Sequence, residues 1–310
     1  MVVDRVRTRS ILAGILATAA ALAWPAGASA DLNSGVEFAA GYRIDDLDWN
    51  KGVDPAGISG PNILSELTWK NLQIYEVQGR AHAENDYGIY GKAMLGYGWI
   101  VHGKNQDSDY NGNDRTQEFS RSNNSANGGY VWDGSIGLGY DFHPAEVWSF
   151  IPLMGASINT QSLAMMDGNQ TLPAAGPFPG LNSSYTAEWW GPWNGLDVQY
   201  APGRLRLGAS GEYHWGTAYA GRGNWNLRPD LQHPTSFEHH AHGSGYVATG
   251  QVGYVLSERW TLRGEGQWQE WTAGPGTDSM YFSDGTSASL TLNRVHWRSV
   301  SGSLVVEYGF

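Results

Sequence analysis

Apolar and polar residues alternate along most of the chain. Over 130–142, Tyr130, Trp132, Ile136, Leu138, Tyr140 and Phe142 fall on one face, and Asp133, Ser135 and Asp141 on the other. Over 204–215 the apolar face is Leu205, Leu207, Ala209, Tyr213 and Trp215, and the opposite face is Arg204, Arg206, Ser210, Glu212 and His214. Over 89–101 the apolar face is Ile89, Ala93, Leu95, Tyr97, Trp99 and Val101. A period of two is the signature of a β-strand. Repeating this reading predicts ten strands, at 35–44, 63–84, 89–104, 125–142, 147–166, 183–200, 203–220, 242–256, 259–273 and 293–310. Four connections are short, at 85–88, 143–146, 201–202 and 257–258. Five are long, at 45–62, 105–124, 167–182, 221–241 and 274–292. Short and long alternate strictly.

The two ends of the chain add direction. Arg5, Arg7 and Arg9 precede an apolar run over 11–24, and Ala28-Ser29-Ala30 follows. A basic start, an apolar core of that length and a small-residue site predict a cleaved signal peptide over 1–30 and one mature domain over 31–310. The last strand places Leu304, Val306, Tyr308 and Phe310 on one face. An exported chain ending in such a strand with terminal Phe looks like a Gram-negative outer-membrane protein. The fold expected is all-β: a ten-stranded antiparallel transmembrane β-barrel with apolar residues outside, polar residues inside, short periplasmic turns and long extracellular loops.

Composition fits that picture. The chain has 42 Gly, 15 Trp and 16 Tyr, with 16% charged residues. No mature segment reaches 18 apolar residues, so membrane helices are excluded. There is no Cys, hence no disulfide framework. The formal charge of -11 becomes -13 when the leader removes three Arg and one Asp. Nucleic acid is excluded as a partner, since it needs a basic patch. Arg204, Arg206, Arg263 and Lys92 read as inward-facing beside Glu212, Glu265, Asp133 and Glu307. A ten-strand lumen lies near the size that side chains fill. Both signs of charge predict a lumen plugged by ion pairs rather than a wide porin, with a narrow pore as the open alternative.

Candidate chemistry concentrates at 103–119. Asp107 and Asp109 form a D-x-D that could hold and deprotonate a water. The same stretch fits D-x-[DN]-x-[DN]-G-x5-E, with Asp107, Asp109, Asn111, Gly112 and Glu118 in place. Asn113 would add its backbone carbonyl, and the bound ion would be calcium. Arg115 occupies the ninth position, where a ligand or water is usual. A solvated loop is the third reading. The Trp-rich run over 188–193 reads as an aromatic belt, with a sugar or lipid site as its alternative. The sequence has no G-x-S-x-G, H-E-x-x-H or phosphate loop.

Leu64-Ser65-Glu66-Leu67-Thr68-Trp69-Lys70 enters the second strand, and Asp107-Ser108-Asp109-Tyr110 follows the third. With the terminal strand over 300–310 and the order of loops, these make the chain resemble the omptin family of outer-membrane proteases. That resemblance implies lipopolysaccharide and outer-membrane lipid as partners, with an extracellular protein or peptide as ligand. It also implies two catalytic couples across the barrel mouth. Asp107 and Asp109 match the Asp pair. The second couple, a D-x-H in the fourth long loop, is expected where the chain reads Arg222-Gly223-Asn224-Trp225-Asn226-Leu227, with neither Asp nor His. Nearby, His233 and His240 are the candidate substitutes. Glu238, His240 and His242, two residues apart, form an alternative zinc set. The reading that follows is a surface barrel of omptin-like type that is not an efficient protease, acting as an adhesin-like binding protein or a narrow pore. Its rival is an endopeptidase with a rearranged second couple.

Overall fold

The computed structural model describes residues 33–54 and 57–310; the signal peptide expected over 1–30 lies outside them. The strands are β1 (Asn33–Gly52), β2 (Ser65–Glu84), β3 (Ile89–Tyr110), β4 (Glu118–Ser125), β5 (Gly129–Tyr140), β6 (Phe142–Ala145) and β7 (Trp148–Leu172). They continue as β8 (Gly176–Pro177), β9 (Asn182–Tyr200), β10 (Leu205–Asn224), β11 (Phe237–Val255), β12 (Trp260–Ala273), β13 (Gly276–Tyr281) and β14 (Ser287–Gly309). β4 and β5 lie end to end between β3 and β7, and β12 and β13 likewise between β11 and β14. β1 pairs with both β2 and β14, in register from Gly35↔Gly309, so the sheet closes. The result is an all-β antiparallel ring of ten staves, as the alternation predicts. Closure leaves no unpaired edge, which a membrane requires.

Most staves are longer than the sequence pattern suggests. β1 continues to Gly52, β3 to Tyr110 and β10 to Asn224, all into stretches expected to be loops. The physical reason is a phase flip. In the lower part of β1, Val36, Phe38, Tyr42 and Ile44 point outward and are exposed. Above them Leu47 and Trp49, of the opposite parity, are buried inside, while Asp46 and Asp48 face out. β9, β12 and β14 make the same switch, from outward Leu196, Leu262 and Leu304 to inward Ala187, Trp271 and Trp297. In lipid the apolar face must be outside. Where the wall leaves the bilayer, water lies outside and the apolar face turns in.

Two aromatic girdles mark the bilayer limits. Trp99, Tyr130, Trp190, Trp215, Tyr246 and Trp268 form the upper one, and Tyr140, Trp148, Tyr254, Trp260 and Phe310 the lower one. Eight strand residues separate Tyr246 from Tyr254, which at a tilt near 40° spans about 20 Å of bilayer.

The lumen is closed at mid-height. Trp69, Trp189, Trp271 and Trp297 are at most 1% exposed, and Trp271 stacks on Trp297 at 5.5 Å. Below them Arg43 donates to both oxygens of Asp45 at 2.7 Å and to Asp133 at 2.6 Å. Gln161 and the Trp297 indole also donate to Asp45. The inward Lys92, Glu212, Arg263, Glu265 and Glu307 form further ion pairs beneath. Arg204 lies outside β10, in an exposed turn. A cavity of about 560 Å³ fills the short-turn half of the lumen, below the plug.

Candidate functional site at the barrel mouth

Asp107 and Asp109 stand on β3 itself, rather than in a loop. β2 fixes their direction: Leu67 pairs with Asp107 and Ser65 with Asp109, while Trp69 pairs with Asn105. Leu67 and Trp69 are core residues, so the two carboxyls share the inner face. Asp107 lies eight residues beyond Trp99 in the same strand, about 20 Å above the upper girdle. Both side chains are half-buried. Burial and the neighbouring Asp109 push Asp107 up to about 8, against the pull of Lys51 and Arg228. Burial also raises Asp109, partly offset by the Ser65 hydroxyl, Lys51 and Arg228. Two close carboxyls that cannot both ionise hold a proton between them at neutral pH.

Lys51, next to last in β1, reaches the inside of the mouth. Its ammonium lies 2.7 Å from Asp278 Oδ2 on β13. Asp278 pairs in register with His239 on β11, the stave opposite β3 in the ring of ten. His239 Nε2 is 3.3 Å from Asp278 Oδ1, without the alignment of a hydrogen bond. His239 Nδ1 is 2.8 Å from the Tyr185 hydroxyl, which is bonded at 2.5 Å to that of Tyr219. Trp49, at 4.7 Å, and Phe237, at 5.0 Å, pack on the imidazole, and His239 has no exposed surface. Burial, helped by the Lys51 charge, lowers its pKa against the opposing pull of Asp278. Burial acts to raise Asp278, but the His239 imidazole and the Lys51 ammonium hold it below the usual carboxylate range.

The wall beside His239 explains the missing D-x-H. The inward positions of upper β10 are Gly221 and Gly223. A Cβ on Gly221 would lie 2.1 Å from the Tyr185 hydroxyl, and one on Gly223 would lie 2.2 Å from the Phe237 ring. Aromatic rings occupy the space that an Asp or His would need. The following loop supplies Arg228 instead. It is within electrostatic reach of both Asp107 and Asp109, and holds Asp230 at 2.7 Å.

The other sequence candidates stand elsewhere. His233 is exposed, bonded to Asn224 at 2.8 Å and near the Arg228 carbonyl. His240 and His242 face out of the barrel and are exposed, and Glu238 on that face bonds Arg222 and Tyr281. The calcium donors do not converge. Asp107 and Asp109 face inward. Glu118, opposite Tyr110 on the outer face, pairs with Arg121. The Asn113 carbonyl accepts from the Thr116 amide and hydroxyl instead. Asn111 has its backbone in the turn with Gln117. β3 fixes Asp107 and Asp109 together on the inner wall, whereas Asn111 and Asn113 lie beyond its end and Glu118 opens β4 on the outer face. Sequence reasoning missed Lys51, Tyr185, His239 and Asp278. The inward parity of Trp49, Lys51, Phe237 and His239 above the girdle was the available signal.

The model of one protein family, Pom, the Protochlamydia outer membrane proteins, matches residues 37–310. No curated protein matches the sequence. Among solved structures, the outer membrane protease OmpT from Escherichia coli superposes with a TM-score of 0.76 at 16% identity, covering 91% of this chain and 98% of that one. At that identity the likeness is one of fold. The translocator domain of the autotransporter NalP from Neisseria meningitidis gives a TM-score of 0.36 at 12% identity, covering 99% and 98%.

Proposed function

Because the chain belongs to the Protochlamydia outer membrane protein family and forms a Gram-negative outer-membrane barrel of omptin-like fold, we propose that it is a surface receptor. In this reading it binds a cationic group of an extracellular peptide or protein at Asp107 and Asp109 without cleaving it. The observation that carries it is the facing wall: Gly221 and Gly223 lie under the Tyr185 and Phe237 rings, and His239 is sealed behind Trp49 and Phe237. A general base needs hydrogen-bond reach to a water beside the substrate, and a ring without exposed surface lacks it.

Charge supports a cationic ligand. Lys51 already serves Asp278, and Arg228 already serves Asp230. Four carboxyls around two cations leave the Asp107–Asp109 pair as the uncompensated charge. The same pair, half-buried, is screened less than a surface carboxylate. The tryptophan layer argues against the pore alternative. Binding of fluorescent peptides containing or lacking Lys and Arg tests the reading: affinity that depends on those residues and falls in Asp107→Asn and Asp109→Asn supports it. Equal affinity for all the peptides contradicts it.

The endopeptidase alternative draws on one observation, the His239–Asp278 couple opposite the Asp pair with Lys51 between them. It requires the aromatic cover over His239 to open. Lipopolysaccharide, implied by the omptin resemblance, belongs to the same proposal as the lipid partner of the outer wall.

A further inference from the structure

The second concentration of metal-ligating side chains lies at the other end of the lumen. Glu84 ends β2, Asp141 joins β5 to β6, and His143 lies in β6. One ligand atom from each lies within 4.8 Å of the others. The backbone holds the three together, since the Asp141 amide donates to the Gly88 carbonyl at 2.8 Å and so ties the β2–β3 turn to this corner.

Asp141 Oδ2 and His143 Nε2 are 3.6 Å apart. That is beyond a hydrogen bond. It is close to the separation, about 3.4 Å, of two ligands that each lie about 2.0–2.1 Å from one tetrahedral ion. The Ser149 hydroxyl donates to Asp141 Oδ1. It therefore fixes the buried carboxyl with its other oxygen toward His143, as outer-shell partners do for metal ligands. A similar trio, Glu37, His82 and Glu307, stands nearby, with His–Glu distances of 3.6 and 3.7 Å. There, however, Arg263 forks between the two carboxylates and Arg80 approaches Glu37. A guanidinium occupies the place of a metal ion and would repel one. Among the described residues, neither Asp141 nor His143 pairs with an Arg or Lys.

We propose that Glu84, Asp141 and His143 form a zinc site at the periplasmic mouth of the lumen. One imidazole nitrogen with two carboxylate oxygens suits Zn²⁺, and the fourth position would be left to water. Calcium and magnesium prefer all-oxygen sets. The ion would link the end of β2 to the β5–β7 turn beside the 560 Å³ cavity.

The test uses the untagged barrel folded in detergent micelles, stripped with EDTA and dialysed against Zn²⁺, with bound metal counted by mass spectrometry and affinity measured by calorimetry. The expected result is one equivalent of zinc. His143→Ala, an exposed position in the short strand β6 that leaves the fold intact by heat-modifiable gel mobility, weakens binding about tenfold or more. Asp141→Asn does the same, and His82→Ala leaves it unchanged. No stoichiometric zinc, wild-type affinity in His143→Ala, or loss of binding in His82→Ala each overturns the proposal.

Discussion

Asp107→Asn should make the protein more stable. Folding raises this carboxyl from 3.8 to about 8, so the folded chain holds a proton that the unfolded chain releases. The sign follows: below about pH 4 both states are protonated and the group costs nothing, and stability then falls as pH rises toward 8. Each unit is worth about 1.4 kcal/mol, so at pH 7 the cost approaches about 4 kcal/mol. The side chain is only half-buried, and solvent screening reduces this to about 2–4 kcal/mol. Asn keeps the shape and abolishes the titration. Urea unfolding in micelles, followed by tryptophan fluorescence at pH 4, 7 and 9, measures the difference. We expect variant and parent to be nearly equal at pH 4 and the variant to be ahead by that margin at pH 7. A variant that is no more stable at pH 7, or a margin independent of pH, refutes the reasoning. A carboxyl retained at such a cost in stability points to function at the mouth.

Asp278→Asn should lose about 3–5 kcal/mol at neutral pH in the same unfolding assay, because Lys51 is left buried without its anion. The Asp278 contribution is present above its unfolded pKa and disappears on acidification through its lowered folded value, so the loss should shrink at low pH. Affinity for a cationic peptide should rise with pH, by up to about tenfold per unit until about pH 8, as binding displaces the Asp107 proton; a flat profile from pH 6 to 8 contradicts this. In planar bilayers the tryptophan layer and the Arg43 network predict no discrete conductance steps.

The ring of ten staves was legible because lipid imposes a rigid rule on the outer face: Ile136, Leu138, Leu304 and Val306 can only point outward. Short turns such as 85–88 were legible for the same reason, as interruptions of that rule. The upper wall was not. There the apolar residues change parity, so β1 seemed to stop at Ile44 although it continues to Gly52. This placed Asp107 and Asp109 in a loop and hid Lys51. His239 and Asp278 lie 39 residues apart and meet only through the β11–β13 register. No local spacing announces such a pair. His240 drew notice through its neighbours Glu238 and His242, yet strand parity turns all three outward. The calcium pattern does not assemble for a related reason: a motif read along the chain assumes a loop that can curl around an ion, and the extended β3 keeps Asp107 and Asp109 on the inner wall while Glu118 lies on the outer face.

The central claim, binding without cleavage, meets its most direct test in a peptide-cleavage assay with the folded barrel in lipopolysaccharide-containing micelles, run beside Asp109→Asn. The account predicts that a peptide bearing Lys or Arg is bound and recovered intact. Turnover by the parent protein that Asp109→Asn abolishes would contradict it and place His239 and Asp278 in a working second couple.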